Sequence, residues 1–272
     1  MNQPMFETII VEDVRVCDHL LREKLGGAKF VGFDCEWIAK KKISLLQIAT
    51  LDTVLLIRLN RMTVITEKLE NFLSDPEVLK FGVSISRDGE KLQSDHKIKL
   101  GGKVDLRKLM KFTKPYQDLL WRQIQEFERG LNQRKQFQPH FNIPEQRRSW
   151  KPKLGLAALS AEVLSLNMDK TVELRAGNWN CEELSEEQKQ YAALDAWTAI
   201  KLAHCFAAPE LRPELQTQPQ IEARLADMCS TVTDRAYNEK LDFTDLMKAL
   251  HKDHPALKIK DYIPGRLTLC VT

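Results

Sequence analysis

Short apolar runs in the first part of the chain alternate with amphipathic segments. The runs predict five strands, over residues 29–37, 43–50, 53–59, 78–83 and 103–106. Only Leu51 and Asp52 separate the second and third runs, which favours an antiparallel meander. Helical spacing of apolar residues predicts a helix over 66–75, and a second helix that opens at a serine cap is expected over 86–95.

The second half of the chain is predominantly helical in pattern. A long helix is expected to begin near Ser185, because Ser185 and Gln188 have the spacing of a capping box. Two further apolar faces flank it, formed by Leu156, Leu159, Val163 and Leu164 and by Ile221, Leu225, Met228 and Val232. Helices mixed with an antiparallel pair of strands predict an α/β sandwich with a mixed sheet.

Two segments depart from this pattern and define the expected domain organisation. Residues 113–150 are polar, basic and rich in glutamine, and they form an insertion in a domain that spans 1–208. The insertion is interpreted either as a solvated surface elaboration or as a basic flap beside a substrate. Prolines 209, 213 and 219 mark a linker into a C-terminal extension, 209–272, which contains one helical segment.

Composition narrows the class of protein without deciding it. The chain has 272 residues, 43% of them hydrophobic, and 41 basic against 38 acidic side chains, so nucleic-acid binding is permitted but not required. Six cysteines without a C-x-x-C pair indicate neither a zinc ribbon nor a disulfide framework. No apolar run approaches the roughly 18 residues of a membrane span, and the acidic N-terminus resembles no signal or transit peptide. An intracellular location is expected.

The first candidate for chemistry is the stretch "VGFDCEW", which places Asp34 and Glu36 in an apolar strand. Residues i and i+2 of a strand share a face, so the two carboxylates converge while Val31, Phe33 and Cys35 point into a core. Burying two like charges is unfavourable unless a basic residue or a cation neutralises them. For an isolated pair, an exposed edge or an ion pair is the commoner explanation.

Further acidic residues make a shared site more plausible. Tyr191 and Asp195 are four apart on the long helix, on a face whose small alanines allow close approach to a sheet. Asp88 lies in the first turn of a helix, where the helix dipole alone would favour a negative charge. Asp195 alone could pair with a lysine or lie on the helix surface. Together, four carboxylates match the oxygen ligands of Mg²⁺, and two such ions about 4 Å apart promote phosphodiester hydrolysis.

The stretches "FDCEW", "GVSISRDGEKL" and "YAALDA" resemble the three motifs of the DEDD superfamily of 3′–5′ exonucleases. A tyrosine at position 191 is typical of the tyrosine subclass, which includes RNase D and the exonuclease domain of the Werner helicase. "SLLQIAT", "GLAALSAEVL" and the segment 169–196 are also similar to that subclass. The resemblance covers about 29–206 apart from the insertion, and the extension from 209 onward matches no known pattern. Neither membrane attachment nor a second catalytic module is therefore transferred.

This resemblance implies a ribonuclease-H-like fold and release of mononucleotides from the 3′ end of DNA, RNA or both, with a single-stranded or 3′-ended nucleic acid as partner. It implies that Asp34 bridges two Mg²⁺ or Mn²⁺ ions, that Glu36 and Asp195 complete the tighter site, and that Asp88 holds the second ion mainly through water. Tyr191 would orient the attacking water. A location in the nucleus, cytoplasm or mitochondrion fits the family.

The resemblance also suggests residues for the substrate. Phosphate contacts are assigned to Lys153, Lys170 and Arg175, each of which could equally be a solvated charge, and contacts to the terminal base to Leu46 and Gln47. Trp37 and Trp179 are expected to pack in the core rather than to stack on bases. Two alternatives stay open: an inactive member that acts as a nucleic-acid-binding or assembly scaffold, and a structure-specific endonuclease with the same site.

Overall fold

The computed structural model describes residues 6–110, 126, 129, 155–169, 171–207, 218–234, 259–263 and 266–269. The chain divides into two units, one made of Met1–Leu109 and Gly155–Cys229, the other of Met110–Leu154 and Ser230–Thr272. The predicted insertion, residues 113–150, lies outside the described residues except for 126 and 129, which are helical. Its role as a flap or as a surface elaboration therefore stays a prediction.

The first unit contains a six-stranded mixed sheet. Its strands are β1 (Glu7–Val11), β2 (Phe30–Trp37), β3 (Ile43–Ala49), β4 (Thr53–Ile57), β5 (Leu79–Gly82) and β6 (Lys103–Asp105). They lie in the order β1-β4-β3-β2-β5-β6. The pairs β2–β3 and β3–β4 are antiparallel, whereas β1–β4, β2–β5 and β5–β6 are parallel. The predicted meander and mixed sheet are confirmed.

The described residues also form helices. They are α1 (Val14–Leu25), α2 (Glu67–Ser74), α3 (Ile85–His96), α4 (Leu106–Met110), α5 (Leu156–Leu164), α6 (Val172–Arg175), α7 (Glu186–Ala207) and α8 (Gln218–Asp234). The predicted capping box is present at the start of α7: Gln188 N–H donates to Ser185 Oγ at 3.2 Å, and Ser185 N–H donates to Gln188 Oε1 at 3.0 Å. Among the described residues, none of the helices has the length and apolar character for a membrane crossing.

Three parts of this architecture differ from the sequence-based expectations. The edge strand β1 and helix α1 were not anticipated, nor was the antiparallel hairpin of β7 (Ile259–Ile263) and β8 (Arg266–Leu269) in the second unit. Helix α3 begins at Ile85, and no serine side chain caps it. Instead Ser84 adopts a left-handed conformation with φ 65°, and its N–H donates to Asp105 Oδ2 at 3.0 Å.

The hydrophobic core lies between one face of the sheet and helices α1, α2 and α3. Val31, Phe33 and Cys35 of β2 belong to it, as the alternation along the strand predicted. Helix contributions include Cys17, Leu21, Leu69, Leu73 and Leu92. The opposite face of β2, which carries Asp34 and Glu36, lies against α7.

A buried arginine joins the sheet to the segment that leads into α7. Arg58 follows β4 and has only 2% of its surface exposed. Its guanidinium donates to the backbone oxygens of Cys181 and Glu182 and to Glu12 Oε1 at 2.8 Å. Charge-assisted hydrogen bonds of this kind are about twice as strong as neutral ones. Arg58 therefore fixes the approach of the chain to the first turn of α7.

Helix α7 lies unusually close to β2 at Gly32. A Cβ at this position would sit 1.8 Å from the carbonyl oxygen of Ala196 and 3.1 Å from the backbone nitrogen of Ile200. Real Cβ atoms do not approach backbone this closely, so any larger residue would push the helix away from the sheet. The close approach brings the side chain of Asp195, next to Ala196, towards the strand.

The substitution Gly32→Ala should lower the free energy of unfolding by roughly 3 kcal/mol or more, because the helix must move or the strand must bend. Urea unfolding measures this loss. Gly155→Ala is the matched control, since a Cβ there meets nothing within 4 Å, and its effect should stay below about 1 kcal/mol. Equal losses of unfolding free energy in the two variants would show that the close approach of α7 at Gly32 does not require a glycine.

Candidate active site

Three carboxylates meet where α7 crosses β2. Ligand oxygens of Asp34, Glu36 and Asp195 all lie within 4.8 Å of one another. Asp34 and Glu36 come from the same face of β2 and are partly buried, while Asp195 on α7 is 2% exposed. The sequence motifs predicted that these three carboxylates share one site, and the structure brings them together. Such a group of negative charges needs a proton or a cation to offset its repulsion.

The donor chemistry of this cluster fits a hard divalent cation. Mg²⁺ and Mn²⁺ take oxygen ligands, and Mg²⁺ in particular is held by a few carboxylates together with water and substrate phosphate. Among the residues that the structure describes, no sulfur or imidazole ligand belongs to the cluster. The side chain of Asp34 also accepts a hydrogen bond from the backbone N–H of Cys35 at 3.0 Å, which fixes its orientation at the strand.

Tyr191 lies one turn before Asp195 and is 8% exposed. Burial raises the pKa of its hydroxyl well above the ordinary value, and the charges of Asp195, Glu36 and Asp34 and a hydrogen bond to Asp195 act in the same direction. The phenol therefore keeps its proton and donates it to Asp195. Its ring packs against Trp179 with centroids 5.9 Å apart, and Trp179 is fully buried, so the prediction of core packing for this tryptophan is confirmed.

Asp88 does not join the cluster of three among the described residues. It lies in the first turn of α3 and is 7% exposed. Burial raises the pKa of this carboxyl to about 7; the charge of Arg87 opposes the shift and that of Asp105 adds to it. The structure brings three of the four predicted carboxylates within 4.8 Å of one another, and the role of Asp88 at a second ion, mainly through water, stays a prediction.

A groove of about 390 Å³ opens beside these residues. Asp34, Tyr191 and Asp195 line it, and Arg175 from α6 lines it as well. The remaining walls are formed by Phe33, Gly82, Val83, Gly155, Leu156, Ala157 and Ala199. Arg175 was predicted to contact substrate, and the structure places it at the groove. Lys153 and Lys170, predicted for the same role, lie outside the described residues.

The structure corrects the prediction for Leu46 and Gln47. In the antiparallel pair β2–β3, Leu46 lies opposite Cys35, so its side chain is on the core face, away from Asp34. Gln47 lies opposite Asp34 and shares its face. Both residues have no exposed surface, so neither can contact the base of a substrate in the groove. In the described part of the chain, neither amide atom of Gln47 has a hydrogen-bond partner.

Sequence reasoning missed Asp105, at the end of β6. This carboxylate accepts the N–H of Ser84 and forms a two-point ion pair with Arg107. Asp105 therefore fixes the backbone of Ser84, which has a left-handed conformation and immediately precedes α3. Through Ser84, it helps to set the position of Asp88 in the first turn of that helix. Its position at the carboxyl end of a strand parallel to β2 was the available signal, because the carboxyl ends of parallel strands share one edge of a sheet.

Comparison of the sequence with models of known protein families identifies the family of this chain. A family model described as 3′–5′ exonuclease matches residues 18–209, well over half of the chain. The chain belongs to the 3′–5′ exonuclease family. The match includes the strand that carries Asp34 and Glu36, the first turn of α3 and the whole of α7. The resemblance drawn from the three sequence motifs is thereby confirmed.

Sequence comparison with individual proteins gives relatives of the same kind. "Exonuclease 3′-5′ domain-containing protein 2" of Homo sapiens is 28% identical over 234 residues, which cover 81% of this chain. The matched region is 32% of that protein, so the chain spans about a third of its length.

Solved structures show the same fold. RNase D of Escherichia coli superposes with a TM-score of 0.53 at 16% identity, over 90% of this chain and 55% of that one. The Nibbler EXO domain of Aedes aegypti also gives a TM-score of 0.53, at 21% identity, over 80% of this chain and 95% of that domain. The ribonuclease-H-like α/β fold predicted for the exonuclease is therefore confirmed.

In the metal-free protein, Asp88→Asn should stabilise the fold increasingly as pH rises. The folded-state pKa of about 7 lies above the ordinary 3.8, so ionising Asp88 opposes folding. This penalty is absent below about pH 4, grows between pH 4 and 7, and is complete above pH 7. The stability gain of Asp88→Asn should thus grow by roughly 2 kcal/mol from pH 5 to pH 8.

Urea unfolding in EDTA at both pH values measures this gain. Glu90→Gln removes one exposed acid from the same helix and controls for the change of net charge. A difference between wild type and Asp88→Asn that does not vary with pH would contradict the raised pKa.

Proposed function

We propose that this chain is a metal-dependent exonuclease that releases mononucleotides from the 3′ end of single-stranded DNA or RNA by two-ion hydrolysis. The observation that carries the proposal is the cluster of Asp34, Glu36 and Asp195 beside a groove that Asp34, Asp195, Tyr191 and Arg175 line. Membership in the exonuclease family supports the same conclusion. The intracellular location, in nucleus, cytoplasm or mitochondrion, stays a prediction.

The carboxylates would hold the cations. Asp34, Glu36 and Asp195 would bind one Mg²⁺ or Mn²⁺, Asp34 would share a second, and Asp88 would serve that second ion. A bound divalent cation supplies a Lewis acid that polarises a phosphate oxygen and lowers the pKa of water at the site. The buried position of Asp195 and the high pKa of Asp88 favour neutralisation of these acids by cations.

Tyr191 acts by orientation. Its hydroxyl proton is committed to Asp195, so the oxygen lone pairs are available to accept a hydrogen bond from a water molecule in the groove. Because the pKa of the phenol is raised, Tyr191 does not remove a proton from that water at neutral pH. Packing against the buried Trp179 restricts the ring to this direction.

Arg175 provides positive charge beside the carboxylates. Its guanidinium has five N–H donors in a planar arrangement that matches two phosphate oxygens at once. Placed on the wall of the groove, it can hold the phosphate of the terminal nucleotide. In this role it would position substrate, and its loss should raise KM more than it lowers kcat.

Mn²⁺ should raise the melting temperature of the wild-type protein, because a ligand that binds only the native state stabilises it. The gain is about 2.7 kcal/mol at a hundredfold excess over Kd. Asp195→Asn should lose most of this shift while remaining folded in EDTA, since it removes a ligand together with a repulsive charge. Thermal unfolding with and without millimolar Mn²⁺ gives the result. An unchanged midpoint for the wild type would argue against a preformed cation site.

Two substitutions separate metal binding from orientation of water. Asp34→Asn should abolish hydrolysis of a 5′-labelled single strand, because Asp34 would contact both ions. Tyr191→Phe keeps the ring and should lower turnover by roughly a hundredfold, while the Mn²⁺-dependent shift in melting temperature persists.

A denaturing gel of the products tests these roles. A ladder that shortens from the 3′ end is expected, whereas internal cuts would indicate an endonuclease. Wild-type protein that binds the strand and Mn²⁺ but leaves the strand intact would instead support a scaffold. Loss of both activity and Mn²⁺ binding in Tyr191→Phe would make this residue a structural support.

A further inference from the structure

The turn between β2 and β3 carries three consecutive lysines: Lys40, Lys41 and Lys42. They follow closely after Trp37, the last residue of the strand that holds Asp34 and Glu36. All three side chains are exposed. Within the described part of the chain, no ion pair includes any of them. Their charge is therefore available to a partner.

Helix α3 holds this turn in place. Lys91 Nζ donates to the backbone oxygen of Lys41 at 2.7 Å, and the N–H of Ile43 donates to Asp95 Oδ2 at 2.9 Å. Lys91 and Asp95, one helical turn apart, also pair with each other. The turn is thus anchored on both sides of Lys42. A preorganised backbone reduces the entropy lost when these lysines bind a partner.

The first turn of α3 adds a fourth cation. Arg87 immediately precedes Asp88, and its guanidinium lies 5.7 Å from the ring centroid of Trp37. Segments 38–43 and 84–95 are both described in full, and their exposed charged side chains are the three lysines, Arg87 and a single acid, Glu90. We call Lys40, Lys41, Lys42 and Arg87 the basic ridge. It extends from the end of β2 to the residue before Asp88.

We infer that the basic ridge binds the phosphate backbone of a nucleic-acid strand whose 3′ end lies in the groove. This inference rests on the proposed function, because it assigns the ridge to the substrate of that site. The cluster of carboxylates repels phosphates, so a strand that enters it needs positive charge nearby. Lysines contact phosphates without reading sequence. The ridge would thus hold nucleotides upstream of the one removed, whatever their bases.

The decisive variant is Lys40→Gln/Lys41→Gln/Lys42→Gln, which leaves Arg87 and the neighbouring Asp88 intact. Fluorescence anisotropy with a labelled 20-nucleotide single strand in EDTA measures binding without hydrolysis. Each phosphate contact contributes about 0.7 to the slope of log affinity against log salt, so the slope should fall by up to about 2. Near 0.1 M salt, affinity should fall roughly tenfold to a hundredfold.

A matched variant removes the same charge elsewhere. Lys24, Lys29 and Lys99 are exposed lysines on the segments that precede β2 and β6, and Lys24 is paired with Glu7. The triple substitution of these three by Gln should leave Kd and slope near wild type. Equal effects of the two triple variants, or a ridge variant with unchanged Kd and slope, would overturn the inference. If the ridge variant fails to fold, Lys41→Gln/Lys42→Gln gives the same test with a smaller expected change.

Two further measurements separate this inference from its alternatives. In hydrolysis assays, the ratio of kcat/KM for the 20-mer to that for a dinucleotide should fall at least about tenfold in the ridge variant, because the single phosphate of a dinucleotide is the one that is cleaved and no upstream phosphate is left for the lysines. A wild type that hydrolyses neither substrate would refute the proposed function, while anisotropy would still decide the ridge. Polyglutamate that competes with the strand at equal charge concentration would overturn the assignment to nucleic acid.

Discussion

The contact between Gly32 and the backbone of Ala196 is the constraint on which the site depends. Because Gly32 has no side chain, α7 lies directly against β2. That closeness, and not any attraction between the acidic residues, brings Asp195 within 4.8 Å of Asp34 and Glu36. The interior alanines of α7 and the anchoring of the preceding segment by Arg58 act in the same direction. Packing energy therefore opposes the electrostatic repulsion that the site builds up.

The acidic residues of the site are held in position by different contacts, depending on whether they lie on strand β2 or at the start of helix α3. Asp34 and Glu36 are held by the backbone of β2, which pairs with β3 at both residues, whereas its pairing with β5 ends at Gly32. Asp88 depends on a longer chain of contacts, through the left-handed Ser84 to Asp105 and Arg107 at the edge of the sheet. The two regions of the site therefore have different supports: backbone pairing with β3 for Asp34 and Glu36, and the side chain of Asp105 for the start of α3.

Much of this could be predicted because local patterns and packing agreed. The alternation in β2 placed Val31, Phe33 and Cys35 in the core, and the spacing of Tyr191 and Asp195 placed both on the face of α7 that meets the sheet. Leu46 shows the limit of that reasoning. The family resemblance suggested that Leu46 contacts substrate, but only the register of β3 against β2 decides which face of the sheet its side chain occupies.

Other features could not be predicted from local sequence patterns, because they depend on contacts between residues that are distant along the chain. Asp105 and Arg58 act through backbone groups distant along the chain, and no spacing rule relates them to those partners. The charges of Lys40, Lys41 and Lys42 are evident in the sequence, yet their anchoring by Lys91 and Asp95 is a tertiary property.

The order of elements along the chain has a consequence for biosynthesis. More than half of the chain separates Asp34 from Asp195, and α7 is the last element to contribute to the carboxylate cluster. On the ribosome, the sheet can form while α7 is still inside the exit tunnel, so the nascent protein has two of the three clustered acids and lacks the third. Long-range contacts of this kind form late. The growing chain thus has no complete carboxylate cluster until the ribosome has passed well beyond residue 207.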